Sequence, residues 1–153
     1  MKLEKTIVVA ALYCCGKTYL SQHSDYSVLD LDGELKKDKD KSIIDYHTKY
    51  IRTLKESIGK YDIILVYPAT GLLFDLNKMN IPYVLVYPKN CKSCEEEWER
   101  RNNERGTSTM WSTLKPYHKN KVRSLSMNKK AKKKYELDKD QYLSDIIEDI
   151  VKS

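Results

Sequence analysis

Three short apolar runs constrain the fold of this chain more than any other feature. They cover residues 6–11, 63–66 and 83–86, and they are rich in valine and isoleucine with no polar alternation. Such runs are typical of strands buried on both faces of a parallel sheet. Proline at positions 68 and 88 is expected to end two of these strands. Helical patterns separate the runs, and this alternation predicts an α/β fold with helices on both faces of the sheet.

The remaining elements follow from spacing and turn residues. We predict two brief strands, at residues 27–29 and 135–137. Shorter helices are predicted at residues 17–20, 72–78, 95–105, 111–125 and 142–150. The longest helix is predicted at residues 41–60, with a stripe at three- and four-residue spacing formed by Ile44, His47, Ile51, Leu54 and Ile58. On this stripe, His47 is interpreted as a packed helix residue.

Size and charge bound the protein's class. The chain has 153 residues, so we expect one domain covering residues 1–153. No apolar run approaches the roughly 20 residues that span a bilayer, and the charged amino terminus leads into a strand without a cleavage site. We therefore expect a cytoplasmic protein with no membrane partner.

The formal net charge of +6 favours anionic partners. The lysine run at 129–134 is interpreted as a solvent-exposed face, with attraction of anions as the alternative.

The segment after the first apolar run, residues 11–18, reads Ala-Leu-Tyr-Cys-Cys-Gly-Lys-Thr. It fits the phosphate-loop pattern G-x-x-x-x-G-K-[ST], except that Ala11 replaces the first glycine. In such a loop, backbone N–H groups and the following helix terminus bind phosphate. Lys17 would contact the β- and γ-phosphates, and the Thr18 hydroxyl would bind magnesium. The sequence thus predicts ATP and Mg²⁺ as cofactors, with phosphate-binding residues Ala11, Tyr13, Cys14, Cys15, Gly16, Lys17 and Thr18.

Two aspartates follow the second predicted strand. If Leu31 is extended, Asp30 and Asp32 point to the same side. Ligands bind at the carboxyl ends of parallel strands, where the phosphate loop also lies. We therefore predict that both aspartates bind the phosphoryl acceptor and that Asp32 is catalytic. The competing interpretation is a capped turn before Gly33.

Two arginines stand four residues apart in the charged helix at 95–105. Arg101 and Arg105 therefore share one helix face. Two guanidiniums on one face can neutralise the charge that develops on a transferring phosphoryl group, and both are predicted to be catalytic. Arg100 points elsewhere and is expected to pair with Glu96 or Glu97. The alternative is an ordinary solvent-exposed helix rich in ion pairs.

Four cysteines occur as two pairs, Cys14-Cys15 and Cys91-x-x-Cys94. A single C-x-x-C lacks the second ligand pair that a structural zinc site requires. The first pair lies within the predicted phosphate loop, where a metal would block the ligand. We therefore expect free thiols rather than a zinc or redox site.

Taken together, these segments resemble the small phage and bacterial P-loop nucleotide kinases of the adenylate-kinase-like, deoxynucleoside monophosphate kinase type. The matching segments are residues 16–18, 28–32, 50–60, 62–66, 84–88, 101–106 and 141–145. The resemblance implies a three-layer P-loop NTPase fold with a five-stranded parallel sheet, helices on both faces and a helical lid at about residues 91–125. It also gives Lys17 and Thr18 the phosphate and metal roles, and Arg101 and Arg105 the lid roles.

The function expected from this resemblance is transfer of the ATP γ-phosphoryl group to a nucleoside or deoxynucleoside monophosphate. Small-molecule nucleotides are then the main partners, with nucleic acid secondary. One alternative is a kinase for the 5′-hydroxyl of a nucleoside or polynucleotide, in which Asp32 is the base. The other is a non-catalytic nucleotide-binding module with a degenerate loop, whose lysines at 129–134 contact nucleic acid or protein.

Overall fold

The computed structural model describes residues 5–35, 43–106 and 110–153. Five parallel strands form one sheet in the order β2-β3-β1-β4-β5. The strands are β1 (Ile7–Ala11), β2 (Val28–Asp30), β3 (Ile63–Val66), β4 (Tyr83–Pro88) and β5 (Lys133–Leu137). The helices are α1 (Lys17–His23), α2 (Leu31–Leu35), α3 (Ile43–Ser57), α4 (Thr70–Lys78), α5 (Lys92–Glu104), α6 (Trp111–Ser126) and α7 (Leu143–Lys152). The predicted α/β class and the parallel sheet are confirmed.

Strand β1 lies at the centre of the sheet. Its Val9 is opposite Leu65 of β3 on one side and Val84 of β4 on the other. Every residue of β3 and β4 is buried. Because helices cover both faces, these strands have no solvent-facing side, which is why they appear in the sequence as unbroken apolar runs.

The helices lie in layers on the two faces of the sheet. From β1 to β2 the chain moves toward one edge of the sheet. The three later crossovers, β2 to β3, β3 to β4 and β4 to β5, all move toward the opposite edge. Since parallel crossovers are right-handed, α1 lies on one face and the helices of the later crossovers lie on the other. Helix α7 packs against α1, and a hydrogen bond joins α3 to α4 through His47 and Asp75.

The strand order also locates a cleft. The chain leaves β1 toward one edge of the sheet and leaves β4 toward the opposite edge. In open parallel sheets, ligands bind at the carboxyl ends of the strands where the connections diverge in this way. The loop after β1, the end of β2 and helix α5 therefore meet around one cleft.

The predicted stripe on α3 is wrong in two places. Tyr50 and Leu54 are buried, but His47 is exposed and Ile58 is 40% exposed. His47 is not a packed residue, because half of its side chain is exposed, and its Nε2 lies 2.7 Å from a carboxylate oxygen of Asp75. The helix buries a tyrosine, whose apolar ring and polar hydroxyl suit a position between core and cleft.

Strand β4 also differs from its prediction. It continues through Tyr87 to Pro88, which pairs with Leu137 of β5. Pro88 is thus the last residue of the strand and is itself paired. A proline is tolerated there because it removes an N–H donor only from the final position of the ladder. The predicted place of the Ile44 side chain on the stripe lies outside what the structure describes, and so do residues 107–109 of the predicted lid.

The surface agrees with the expected charge distribution. Each lysine between positions 129 and 134 is exposed, which confirms the solvent-facing interpretation of that run. Within residues 5–35, 43–106 and 110–153, no helix is long and apolar enough to cross a membrane. The four cysteines are free thiols.

The core makes a direct stability prediction. Leu85, in the centre of β4, has no exposed surface, so Leu85→Ala should lower the free energy of unfolding by about 2–5 kcal/mol. Phe74, on α4, is 65% exposed, and Phe74→Ala should change the free energy of unfolding by less than about 0.5 kcal/mol. Urea unfolding followed by circular dichroism measures both. Equal losses in the two variants would contradict the described packing.

Candidate functional site

A cavity of about 590 Å³ opens at the carboxyl edge of the sheet. Its lining residues come from five parts of the chain and are Tyr13, Cys14, Gly16, Lys17, Thr18, Tyr19, Asp30, Asp32, Gly33, Tyr67, Arg101, Glu104, Arg105 and Tyr142. Nine of the eleven predicted site residues are in this set. The other two, Ala11 and Cys15, are buried beneath the cavity. The structure thus brings the predicted residues together.

The loop between β1 and α1, residues 12–16, forms the floor of this cavity. Its backbone is left-handed at Cys14 (φ 62°) and at Gly16 (φ 96°). Glycine suits such a φ, and a Cβ at Gly16 would also lie 3.2 Å from the Tyr142 ring. A cysteine at this φ stores strain of order 1 kcal/mol. Left-handed residues in a turn direct neighbouring N–H groups into one concavity, which is an anion-binding arrangement.

Three consecutive carbonyls of this loop accept hydrogen bonds from the surrounding protein. The pairs are Trp98 Nε1 to Tyr13 O (3.0 Å), Arg101 Nη1 to Cys14 O (2.9 Å) and Leu143 N–H to Cys15 O (2.7 Å). In contrast, the N–H groups of residues 14–18 donate to no other residue in the described part of the chain. The first N–H groups of a helix likewise have no partner within it. The loop and the start of α1 therefore present unpaired donors.

Lys17 folds back over the loop. Its Nζ donates to the carbonyl of Ala11 at 2.7 Å and lies 5.4 Å from the ring centroid of Tyr67. Burial lowers the pKa of Lys17, and the nearby carboxylate of Asp32 acts in the opposite direction. A partly desolvated ammonium gains strongly from an additional anionic partner. The side chain is thus placed to contact an anion held by the loop.

Thr18 and Asp30 are neighbours at one side of the loop. The Thr18 hydroxyl donates to Asp30 Oδ2 at 3.5 Å, and the Gly33 N–H donates to Oδ1 at 3.4 Å. A Cβ at Gly33 would lie 3.0 Å from Oδ2, so glycine lets the chain approach this carboxylate. Hydroxyl and carboxylate oxygens are ligands that Mg²⁺ prefers. Among the described residues, no cluster of three or more His, Cys, Asp or Glu side chains could hold a metal ion.

Asp32 does not lie on an extended segment as predicted. Leu31 begins helix α2, and Asp32 is in its first turn, where a carboxylate interacts favourably with the helix dipole. Its Oδ2 accepts a hydrogen bond from Tyr50 Oη at 3.2 Å. Burial raises the pKa of Asp32, while Lys17 and the Tyr50 hydroxyl oppose this rise. The two aspartates thus reach one cavity with different partners.

Arg101 is nearly buried, with 4% of its surface exposed. Its guanidinium lies between the rings of Trp98 and Tyr142, at 4.1 and 3.8 Å from their centroids. Besides the loop carbonyl, its acceptors are Glu97 Oε2 (2.8 Å), Lys139 O (3.1 Å) and Gln141 O (2.9 Å). These contacts favour a positioning role for Arg101. Its contact with a transferring phosphoryl group stays a prediction.

The other two arginines of this helix differ from Arg101. Arg105 follows the last residue of α5, is exposed to the cavity, and has its Nη1 3.6 Å from the sulfur of Cys14. Arg100 points away from the cavity and pairs with Glu97 at 2.7 Å and Glu104 at 2.6 Å. Its predicted pairing with Glu97 is confirmed. Arg105 is therefore the predicted arginine whose side chain is best placed to contact a bound ligand.

Several aromatic residues near the cavity were missed by the sequence interpretation. Tyr67 directly follows β3, its hydroxyl contacts that of Tyr117, and its ring stacks near Tyr13. The Tyr13 hydroxyl lies 2.7 Å from Nδ1 of His118 on α6. Burial lowers the pKa of His118 to about 4, so the ring is neutral at physiological pH. The available signal was the position of Tyr67 at the carboxyl end of a central strand.

Comparison with protein-family models, with curated proteins and with solved structures gave no match to this chain. The interpretation of the site therefore depends on its residues and their geometry.

The contacts of Arg101 predict a stability difference between two adjacent arginines. Arg101→Ala removes a buried cation from Glu97 and leaves the carbonyls of Cys14, Lys139 and Gln141 without this donor, so it should lower the free energy of unfolding by about 3–5 kcal/mol. Arg100→Ala should have little effect, because exposed ion pairs contribute little. Urea unfolding measures both. Backbone amide chemical shifts of residues 12–16 should also change in Arg101→Ala alone, and equally small changes in both variants would contradict the positioning role.

Proposed function

We propose that this chain has a P-loop fold and is an ATP-dependent phosphotransferase that moves the γ-phosphoryl group to a nucleoside or deoxynucleoside monophosphate. The observation that carries the proposal is the loop at residues 12–16. The carbonyls of residues 13–15 accept hydrogen bonds from outside the loop, and the ammonium of Lys17 lies over it. The N–H groups of residues 14–18 donate to no other residue in the described part of the chain. Unpaired N–H groups at a helix start, together with a lysine, are what a polyphosphate chain requires.

Magnesium has a place in this proposal beside Thr18. The Thr18 hydroxyl would bind the ion directly, and Asp30 would hold it directly or through water. When bound, the ion neutralises charge on the phosphate oxygens. Thr18 and Asp30 would be the residues that hold it.

The acceptor would lie on the side of the cavity formed by Asp32 and Arg105. Arg105 provides a cation that can approach a phosphate group. Asp32 can accept a hydrogen bond, or a proton, from the attacking group. Catalysis of phosphoryl transfer then depends mainly on positioning and charge stabilisation, with Lys17 and Arg105 supplying positive charge.

One set of contacts favours a second acceptor class, a 5′-hydroxyl group of a nucleoside or polynucleotide. The guanidinium of Arg101 donates its hydrogen bonds to groups of the protein itself. Fewer cations are therefore left to face Asp30 and Asp32. A neutral hydroxyl meets less repulsion from two carboxylates than a monophosphate does. The raised pKa of Asp32 also makes it a better proton acceptor than an ordinary aspartate.

Lys17 provides the test of the phosphate site. Lys17→Ala should abolish phosphoryl transfer and weaken ATP binding by about tenfold or more, since a charge-assisted hydrogen bond contributes roughly 1.5–3 kcal/mol. Lys55→Ala, which changes an exposed lysine on α3, is the control and should behave as wild type. Calorimetry measures ATP binding and labelled ATP measures transfer. Unchanged transfer in Lys17→Ala would overturn the assignment.

Asp32 provides the test of the acceptor side. Asp32→Asn should lower turnover while ATP affinity changes little, and Asp140→Asn, an exposed position, is the control. Because the pKa of Asp32 is raised, the wild-type base is protonated at a higher pH than an ordinary carboxyl group. Wild-type turnover should therefore rise with pH through that pKa, and Asp32→Asn should lose this dependence.

The assay uses labelled ATP and magnesium against monophosphates, nucleosides and 5′-hydroxyl oligonucleotides, which separates the two acceptor classes. If ATP affinity collapses in Asp32→Asn while acceptor dependence is unchanged, Asp32 belongs to the ATP site. ATP binding without transfer to any acceptor would favour the non-catalytic module.

A further inference from the structure

Cys91 and Cys94 lie at the start of helix α5, outside the cavity described above. Cys91 is the residue before the first helical position, and Cys94 is one turn further along a helix of 13 residues. Side chains at this spacing lie on one face of a helix. Each thiol also contributes to the pKa of the other, lowering that of Cys91 and raising that of Cys94. This spacing places both cysteines at one end of α5 without any long-range contact.

The two thiols differ strongly in exposure. Cys91 is exposed, whereas only 1% of the surface of Cys94 is exposed. The sulfur of Cys94 donates to the carbonyl of Leu137 at 3.7 Å, and the sulfur of Cys91 lies 3.4 Å from the Ser93 hydroxyl. Packing explains a buried cysteine, but it does not explain an exposed one three residues before it. One thiol can thus meet a reagent from solvent, and the second is held behind it.

The exposed thiol, Cys91, is also the more acidic of the two. Hydrogen bonding, first from the Ser93 hydroxyl, lowers the pKa of the Cys91 thiol. Burial raises the pKa of Cys94 to about 11. Because the thiolate is the nucleophile, Cys91 is the more reactive sulfur at neutral pH. The start of a helix stabilises a thiolate further.

We propose that Cys91 and Cys94 form a thiol–disulfide exchange site, with Cys91 as the attacking thiol and Cys94 as the resolving thiol. The Cys91 thiolate attacks one sulfur of a small-molecule disulfide, which forms a mixed disulfide and releases one thiolate. Cys94 then loses its proton and attacks the Cys91 sulfur, which releases the second thiolate. The protein dithiol is oxidised to a disulfide, and the external disulfide is reduced to two thiols.

The geometry permits closure with a small local shift. A disulfide requires Cβ atoms about 3.5–4.5 Å apart. Cys91 has an extended backbone (φ −147°, ψ 161°), so it is outside the regular helix and can move without breaking the helical hydrogen bonds that follow. The assignment of this site does not rest on the proposed phosphotransferase activity.

The test equilibrates the reduced full chain in glutathione buffers of graded redox ratio, followed by alkylation and peptide mapping by mass spectrometry. Wild type should form a disulfide between Cys91 and Cys94, with no glutathione retained. Cys94→Ser should accumulate glutathione on Cys91, and Cys91→Ser should leave Cys94 reduced. Cys94→Ala is measured beside Cys94→Ser and should also accumulate glutathione on Cys91, which covers the case in which a buried serine destabilises the fold. Cys14 and Cys15 in the same samples are internal controls and should stay reduced.

A rate measurement completes the test. Iodoacetamide should modify Cys91 several times faster at neutral pH in the folded chain than in the same chain unfolded in urea, because folding lowers its pKa. Stable glutathione on Cys91 of the wild-type protein would show that Cys94 does not resolve it, and the proposal would be wrong. Equal alkylation rates in the folded and unfolded chain would likewise overturn the assignment of Cys91 as the attacking thiol.

Discussion

The arrangement of the cleft depends on the hydrogen bonds that hold three consecutive carbonyls of residues 13–15. Their donors come from two separate helices, with Trp98 and Arg101 on α5 and Leu143 at the start of α7. A peptide unit is planar, so fixing its carbonyl on one side also fixes the following N–H on the other. The concave surface of N–H groups is therefore produced by contacts behind the loop. The same contacts retain a cysteine in a left-handed conformation that costs energy by itself.

Arg101 has a particular part in this arrangement, because burying a guanidinium is costly unless its donors are satisfied. Here two aromatic rings cover its faces, and Glu97 and three carbonyls accept from its edges. The hydrogen bond from Arg100, followed by that from Arg101, lowers the pKa of Glu97 to about 2, so the carboxylate stays charged over the physiological range. The charge of Arg101 is thus balanced within the protein, and the cations left facing the cavity are carried by Lys17 and Arg105.

Local sequence was sufficient for the strands and for the loop. Buried strands of a parallel sheet are unbroken apolar runs, and residues 11–18 are contiguous, so neither depends on distant residues. The contacts that shape the cavity join residues far apart in sequence, such as Trp98 to Tyr13 and Tyr50 to Asp32. No periodicity encodes such pairs. The same limit explains α2, where the turn residues 31–35 adopt a helix that spacing alone did not indicate.

Helix α5 connects the two sites discussed above. Its first turn carries the dithiol, and Trp98 and Arg101 follow on the same rigid element, about 15 Å from Cys91 to Arg101 at 1.5 Å per residue. Formation of a disulfide removes the Cys94 proton that bonds the Leu137 carbonyl. Any displacement of the helix then acts on the loop carbonyls of Tyr13 and Cys14. Linkage makes such coupling reciprocal, so a ligand that binds the loop more tightly in one redox state must shift the thiol–disulfide equilibrium by the same factor.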